Sequence, residues 1–180
     1  MKVSLVLLLV ACGSSSAPHS SDAPASSDAP PGSNMISGSV GGKTFGTVGA
    51  SYVIGMPDSP STDTVVYLFD GAVACSSITA AGWDSNLPAG TQVLELKMVG
   101  KAPATYAQTT AATHVPAPGE AAVSYTLAMP SATDMIASGG TVTLSTLSAS
   151  AATGTFHVTF SNGMLDGKFD APACANGREP

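Results

Sequence analysis

Three cysteines, Cys12, Cys75 and Cys174, and three histidines, His19, His114 and His157, are the residues of this chain best suited to redox, nucleophilic or metal chemistry. Their spacing excludes most of it. A zinc site draws paired Cys or His ligands at short intervals, whereas His114 stands alone in a Pro-rich stretch (THVPAPG), His157 alternates with threonines, and His19 lies among Ser, Ala and Pro. Serine is so abundant that no single one stands out as a nucleophile, and no Gly-x-Ser-x-Gly elbow is present. Asp58 and Asp63 flank a Pro-Ser stretch that could cup a hard cation, but their spacing matches no calcium loop and reads as a turn-rich surface. Trp83, followed by Asp84, Ser85 and Asn86, offers either a stacking platform for a sugar or a plug for a core, and a lone Trp favours the plug. Ser138-Gly139-Gly140 lacks the following helix that a phosphate cradle needs. No catalytic residue, cofactor-binding residue, cofactor or metal ligand is assigned.

The cysteines carry more. Lys2 precedes an apolar run from Val3 to Val10 that is too short to span a bilayer but the right length for an export signal. The n-region, Met1 and Lys2, is short for such a signal, which fits a start codon upstream of Met1. The run leads directly into Leu9-Val10-Ala11-Cys12, an aliphatic residue, a tolerated one, a small one and a cysteine where the cleavage site belongs. This resembles the lipobox of bacterial lipoproteins. The resemblance implies cleavage before Cys12, a diacylglycerol on its sulfur and an acyl chain such as palmitate on the new amino group. Two or more chains give stable attachment where one is marginal, since each buried CH2 adds about 0.8 kcal/mol. Gly13, in place of the Asp that signals inner-membrane retention, implies the outer membrane.

Residues 13–34 contain no aliphatic side chain larger than Ala and repeat Ser-Ser-Asp-Ala-Pro at 20–24 and 26–30, so they cannot bury enough surface to fold. Such a coil spans about 25 Å on average and at most roughly 70 Å, enough to clear lipid headgroups. The expected organisation is a lipoprotein signal peptide at 1–11, a lipidated cysteine and disordered linker at 12–34, and a folded domain at 35–180. With Cys12 lipidated, Cys75 and Cys174 are the one intramolecular pair available, and an oxidising compartment favours a bridge over two free thiols.

Charge narrows the partners. Only 10% of residues are charged and the formal net charge is −6, one unit more negative once Lys2 is removed with the signal. Nucleic acid binding needs clustered Lys and Arg; Lys43, Lys97, Lys101, Lys168 and Arg178 are scattered.

All ten aromatic residues lie between Phe45 and Phe169, so the core belongs to the later segment. From Met35 onward, short runs rich in Val, Thr, Tyr and Phe alternate with period two between Gly, Pro, Asn and Asp clusters, and no helical periodicity persists. The spacing predicts an all-β domain of eight or nine strands, an antiparallel sandwich with a closed barrel as the alternative. Gly41-Gly42 is expected to turn a hairpin between Ile36–Val40 and Lys43–Ile54, and Val65–Phe69, apolar on both faces, to be central. The runs at Leu94, Leu96 and Met98, at Val123, Tyr125 and Leu127, and at Val142 and Leu144 read as half-buried strands. A short turn of helix fits Ser76–Ala81. The clearest hairpin puts Phe156, Val158 and Phe160 on one face and Thr155, His157 and Thr159 on the other, with Asn162-Gly163 as a type I′ turn. Its register sets Phe160 opposite Leu165, Val158 opposite Gly167, Phe156 opposite Phe169, His157 opposite Lys168, Thr159 opposite Asp166 and Thr155 opposite Asp170.

The opening SGSVGGKTF (Ser37 to Phe45) and closing GTFHVTFSNGMLDGKFDAPAC (Gly154 to Cys174) look like those of small uncharacterised β-domain lipoproteins of bacterial envelopes. The resemblance carries no known activity; the expected role is a binding or structural module, its protein or glycan partner unknown. The alternative is a barrel that carries a small apolar ligand. No acid, base and nucleophile constellation supports an enzyme.

Overall fold

The computed structural model describes residues 34–79, 82–109, 115–128 and 133–174, and it is all-β. Its strands are β1 (Met35–Val40), β2 (Lys43–Thr44), β3 (Ala50–Ile54), β4 (Asp63–Phe69), β5 (Gln92–Val99), β6 (Ala104–Gln108), β7 (Glu120–Leu127), β8 (Thr133–Ile136), β9 (Gly139–Leu147), β10 (Ala151–Phe160) and β11 (Gly163–Pro172). Two 3-10 turns, Cys75–Thr79 and Trp83–Asn86, follow β4, the first on the stretch expected to turn helically. Eleven strands replace the eight or nine expected because short pairings such as β2 and β8 carry too few residues to show periodicity.

One sheet contains every strand, in the order β2-β1-β11-β10-β9-β6-β7-β5-β4-β3, with β8 also on β7. Neighbours are antiparallel except β6 and β7. β2 and β3 stand at opposite ends of this path, yet only residues 45–49 separate them in the chain. Laid flat, ten strands would put those ends about 43 Å apart, whereas the link reaches at most about 21 Å. The sheet therefore curls into an open half-barrel. One end strand, β3, meets the residues that follow β11 along a short seam: Val53 bridges Ala173 in parallel fashion and the Cys174 amide donates to the Val53 carbonyl at 2.9 Å. Beside it, Asn34 donates to Ser51 Oγ at 3.0 Å, accepts from the Asp170 amide at 2.7 Å, and Ser51 Oγ donates to the Asp170 carbonyl at 3.2 Å.

The expected hairpin partner Lys43–Ile54 is thus not one strand. It pairs with β1 through Lys43 and Thr44, with one further bond from the Phe45 amide to the Gly38 carbonyl at 3.3 Å, then crosses the curl and becomes β3 at the far end. Phe45 and Val48, in the crossing, are buried with the interior core. Val65–Phe69 is apolar on both faces as expected, but it lies one strand from the end of the sheet rather than centrally. Val66 and Leu68 point into the curl. Val65, Tyr67 and Phe69 point outward into a second apolar cluster roofed by Val73, Ile78, Trp83 and Leu87. That roof explains why an outlying strand needs two apolar faces.

The faces assigned to the other runs hold: Leu94, Leu96, Met98, Val123, Tyr125, Val142, Leu144, Phe156, Val158 and Phe160 all enter the interior core. The register of the last hairpin is corrected by two residues. Phe160 pairs with Gly163, Val158 with Leu165, His157 with Asp166, Phe156 with Gly167 and Thr155 with Lys168. Ser161 and Asn162 form the turn, and neither they nor Gly163 has positive φ, so it is not type I′. A two-residue shift preserves the faces. Its cause is steric: it places each large ring over a glycine, Phe156 over Gly167 and Phe169 over Gly154, where a Cβ would lie 2.5 Å from the ring carbon Cζ in both cases. Two phenylalanines directly opposite one another would leave those glycine gaps unfilled.

Gly154→Ala should therefore destabilise the domain by about 1–3 kcal/mol through overpacking, read as a lower urea midpoint at unchanged slope. A change below about 0.5 kcal/mol, the range of an ordinary surface substitution, would contradict this register.

Candidate functional site

Alternation along β6, β9, β10, β11 and β1 gives the curl an apolar inner face and a polar outer one. Register aligns the outer residues into cross-strand rows, Thr105–Thr143–Thr155–Lys168–Met35 and Ala107–Thr141–His157–Asp166–Ser37. Threonine suits a pleated, half-exposed surface because its branched Cβ packs against same-face neighbours. Hydroxyls pair across strands, Thr105 with Thr143 at 3.0 Å and Thr146 with Thr153 at 2.7 Å. His157 Nδ1 engages Asp166 Oδ1 at the middle of the second row, with the two side chains 53% and 46% exposed. Thr141, His157 and Asp166 in one row are the residue types of a hydroxyl, base and carboxylate relay. They lie on the outer sheet face, where the His157 and Asp166 side chains are about half exposed to water.

This face ends at a groove of about 370 Å3 where β2 stops short of covering β1. Met35, Ile36 and Phe156 supply its apolar lining, and Ser37, Asp166 and Lys168 its polar groups. Met35 is 62% exposed. The volume lies within the range of small-molecule sites, about 300–1,000 Å3.

Cys75 and Cys174 are joined by a disulfide, their Cα atoms 5.6 Å apart across 99 residues of sequence. Trp83 is a core plug: 9% exposed, its ring centroid lies 5.2 Å from that of Tyr67 and 5.9 Å from that of Phe69, which removes it as a sugar platform. The loop bearing Asp58 gathers oxygens, but around an ammonium. Lys101 Nζ donates to the Ser59 carbonyl at 2.7 Å, Ser59 Oγ at 3.1 Å and the Pro57 carbonyl at 3.4 Å, while Asp63 begins β4 and pairs with Lys97 at 3.0 Å. Gly139 and Gly140 open β9. No group of three or more His, Cys, Asp or Glu that could hold a metal ion occurs among the described residues. Cys12, His19 and His114 lie outside the described residues.

Two buried amides were not legible as structural residues. Gln92 lies between Asp70, the crossing segment and Tyr125: its Nε2 donates to Asp70 Oδ2 at 2.8 Å and the Thr44 carbonyl at 3.1 Å, and its Oε1 accepts from the Tyr125 hydroxyl at 2.9 Å. Gln108 fills the gap on the edge of β7 between β6 and β8, accepting from the Val123 amide at 2.7 Å and donating to the Ala137 carbonyl at 3.1 Å. Each satisfies backbone groups that would otherwise be buried unpaired. A glutamine at a strand end is the only sequence signal, and it is indistinguishable from a solvated one.

Burial, and secondarily the negative charge of Asp70, raises the Tyr125 hydroxyl above the ordinary tyrosine value; burial raises Tyr106 as well, and its hydroxyl donates to the Ala102 carbonyl at 2.7 Å. Above a pH of about 10, the unfolded chain releases these protons and the folded one keeps them. Stability from this source is complete below that pH and falls as pH rises through it. Urea midpoints measured across that range should decline, and Tyr125→Phe should flatten the decline. An unchanged slope in the variant would count against the buried hydroxyl. Gln92→Ala, which strips partners from Asp70, Tyr125 and Thr44, should cost about 1–3 kcal/mol by the same measurement, and a neutral effect would contradict the network.

No protein-family model, curated protein or solved structure matches this chain. What it does must be argued from its own residues.

Proposed function

We propose that the chain is a lipid-anchored lipoprotein of a bacterial envelope, attached to the outer membrane through Cys12, whose β domain is a non-enzymatic binding or structural module. The observation that carries the reading is the fate of the cysteines. Of three, Cys75 and Cys174 are joined to each other, which suits an oxidising compartment outside the cytosol and leaves Cys12, at the end of the lipobox-like Leu9-Val10-Ala11, for a different chemistry. The short stretch from Cys12 to Asn34 then links the membrane to the start of β1.

On this reading the curled sheet of the domain is a sandwich, with a closed barrel as the alternative. Its partner meets the threonine-rich face of β6, β9, β10, β11 and β1, which presents hydroxyls, one His–Asp pair and one lysine to solvent and suits a protein or glycan of low charge. The groove beside Met35, with its apolar lining of Ile36 and Phe156, favours a second reading in which a small apolar compound is carried there rather than inside the curl, where side chains fill the core.

Cys12→Ser in the full chain should abolish lipid addition by intact mass and move the protein from the membrane to the soluble fraction. Membrane retention without lipid would overturn the anchor. Solvent extraction of the purified folded protein should release no stoichiometric apolar compound; one equivalent per chain would favour the carrier reading instead.

A further inference from the structure

The seam that brings the ends of the sheet together is its thinnest joint. β10 and β11 pair over their full lengths, from Ala151 opposite Pro172 to Phe160 opposite Gly163, and β3 and β4 pair from Ala50 opposite Phe69 to Ile54 opposite Val65. Between β3 and the end of β11 there is one bridge, Val53 with Ala173, one backbone bond from Cys174 to Val53, the Ser51 hydroxyl on the Asp170 carbonyl, the side-chain links through Asn34, and the packing of Val53 with Ala171 in the interior core. The disulfide sits on this joint: Cys174 lies two residues past the end of β11, and Cys75 opens the first 3-10 turn of the roof over the outer faces of β3 and β4. It ties the tail of β11 to the roof and reaches the inner core only through that strand's last residues.

We propose that the Cys75–Cys174 bond is a redox latch: its reduction by a dithiol releases the end of β11 from β3 and opens the seam while the rest of the sheet stays folded. Cys174 is 3% exposed and Cys75 half-buried, so a thiolate of the reductant attacks the Cys75 sulfur. The bond between the two protein sulfurs breaks, and Cys174 leaves as a thiolate and takes up a proton. The reductant's second thiol, deprotonating, attacks its own sulfur in the mixed disulfide and expels Cys75, which is protonated in turn. Two electrons and two protons pass to the protein, and the dithiol leaves as a disulfide.

The unlatched state exposes the edge of β3, where Tyr52, Val53 and Ile54 form a short apolar strand that an unpaired edge offers to another chain. The interior core keeps its hold because its strands are joined to each other through residues the bond does not touch. The latch does not depend on the lipid anchor.

Hydrogen exchange on the full chain, oxidised and after treatment with a small-molecule dithiol, tests this directly. Reduction should cause loss of amide protection at 50–54 and 171–174, leave 92–99 and 155–165 protected, and reverse on reoxidation. The double variant Cys75→Ser with Cys174→Ser should match the reduced protein without reductant. Unchanged protection at 50–54 and 171–174 would overturn the latch by showing the bond to be passive. Loss of protection across 92–99 and 155–165 together with the seam, in the reduced protein or the variant, would overturn it equally, since the bond would then support the whole fold.

Discussion

The five residues between β2 and β3 dictate the shape of this domain. Because the two ends of a long sheet are covalently joined by so short a link, the sheet cannot lie open, and every other feature follows from the curl that results. The inner face becomes a closed apolar volume, so the inward residues of strands distant in sequence share one core. The link itself has to cross that volume, and it does so with Phe45 and Val48 buried and with its backbone held by Gln92 through the Thr44 carbonyl. The cost of burying a polar side chain there is met by satisfying every partner it meets, Asp70, Tyr125 and the crossing chain.

The same curl divides the outer surface into two unlike halves. Over β3, β4 and the start of β5 the outer residues Tyr52, Ile54, Val65, Tyr67, Phe69 and Val93 are apolar and share a cluster with Trp83. Over β6, β9, β10, β11 and β1 they are threonines and a few charged groups open to solvent. The disulfide belongs to the first half. Closing a loop of about 100 residues restricts the unfolded chain by roughly 4.7 kcal/mol in the chain-entropy model, less whatever structure that chain retains. A domain with so few charges gains little from ion pairs, which on a surface contribute at most about 1 kcal/mol each. The stability of its core rests on packing and on buried amides.

Much of this was legible in the sequence because period-two alternation is a local property. It fixed which side chains of β5, β7, β9 and β10 face inward, and Trp83 and the two cysteines were placed by their types and context. Register was not legible to the residue. Phe156 and Phe169 look like natural partners along the strands, and only the third dimension reveals that each ring needs the space above a glycine. The break of Lys43–Ile54 into β2, a crossing and β3 was hidden for a similar reason: Phe45 and Val48 fall within a run that reads as one strand, while the elements that bury them lie far along the chain. Gln92 and Gln108 were invisible because a glutamine's role depends on backbone groups that long-range topology alone brings to it. The threonine face was present in the pattern, but its width across five strands depended on a strand order that the sequence does not encode locally.

Backbone contacts across the seam are the most direct measure of the curl. In a nuclear Overhauser spectrum of the oxidised protein, the account expects cross-peaks linking Val53 to Ala173 and Cys174, alongside those between β10 and β11. Strong contacts between β10 and β11, with none between Val53 and the residues that follow β11, would mean that the sheet does not bring its ends together, and the central claim would fail.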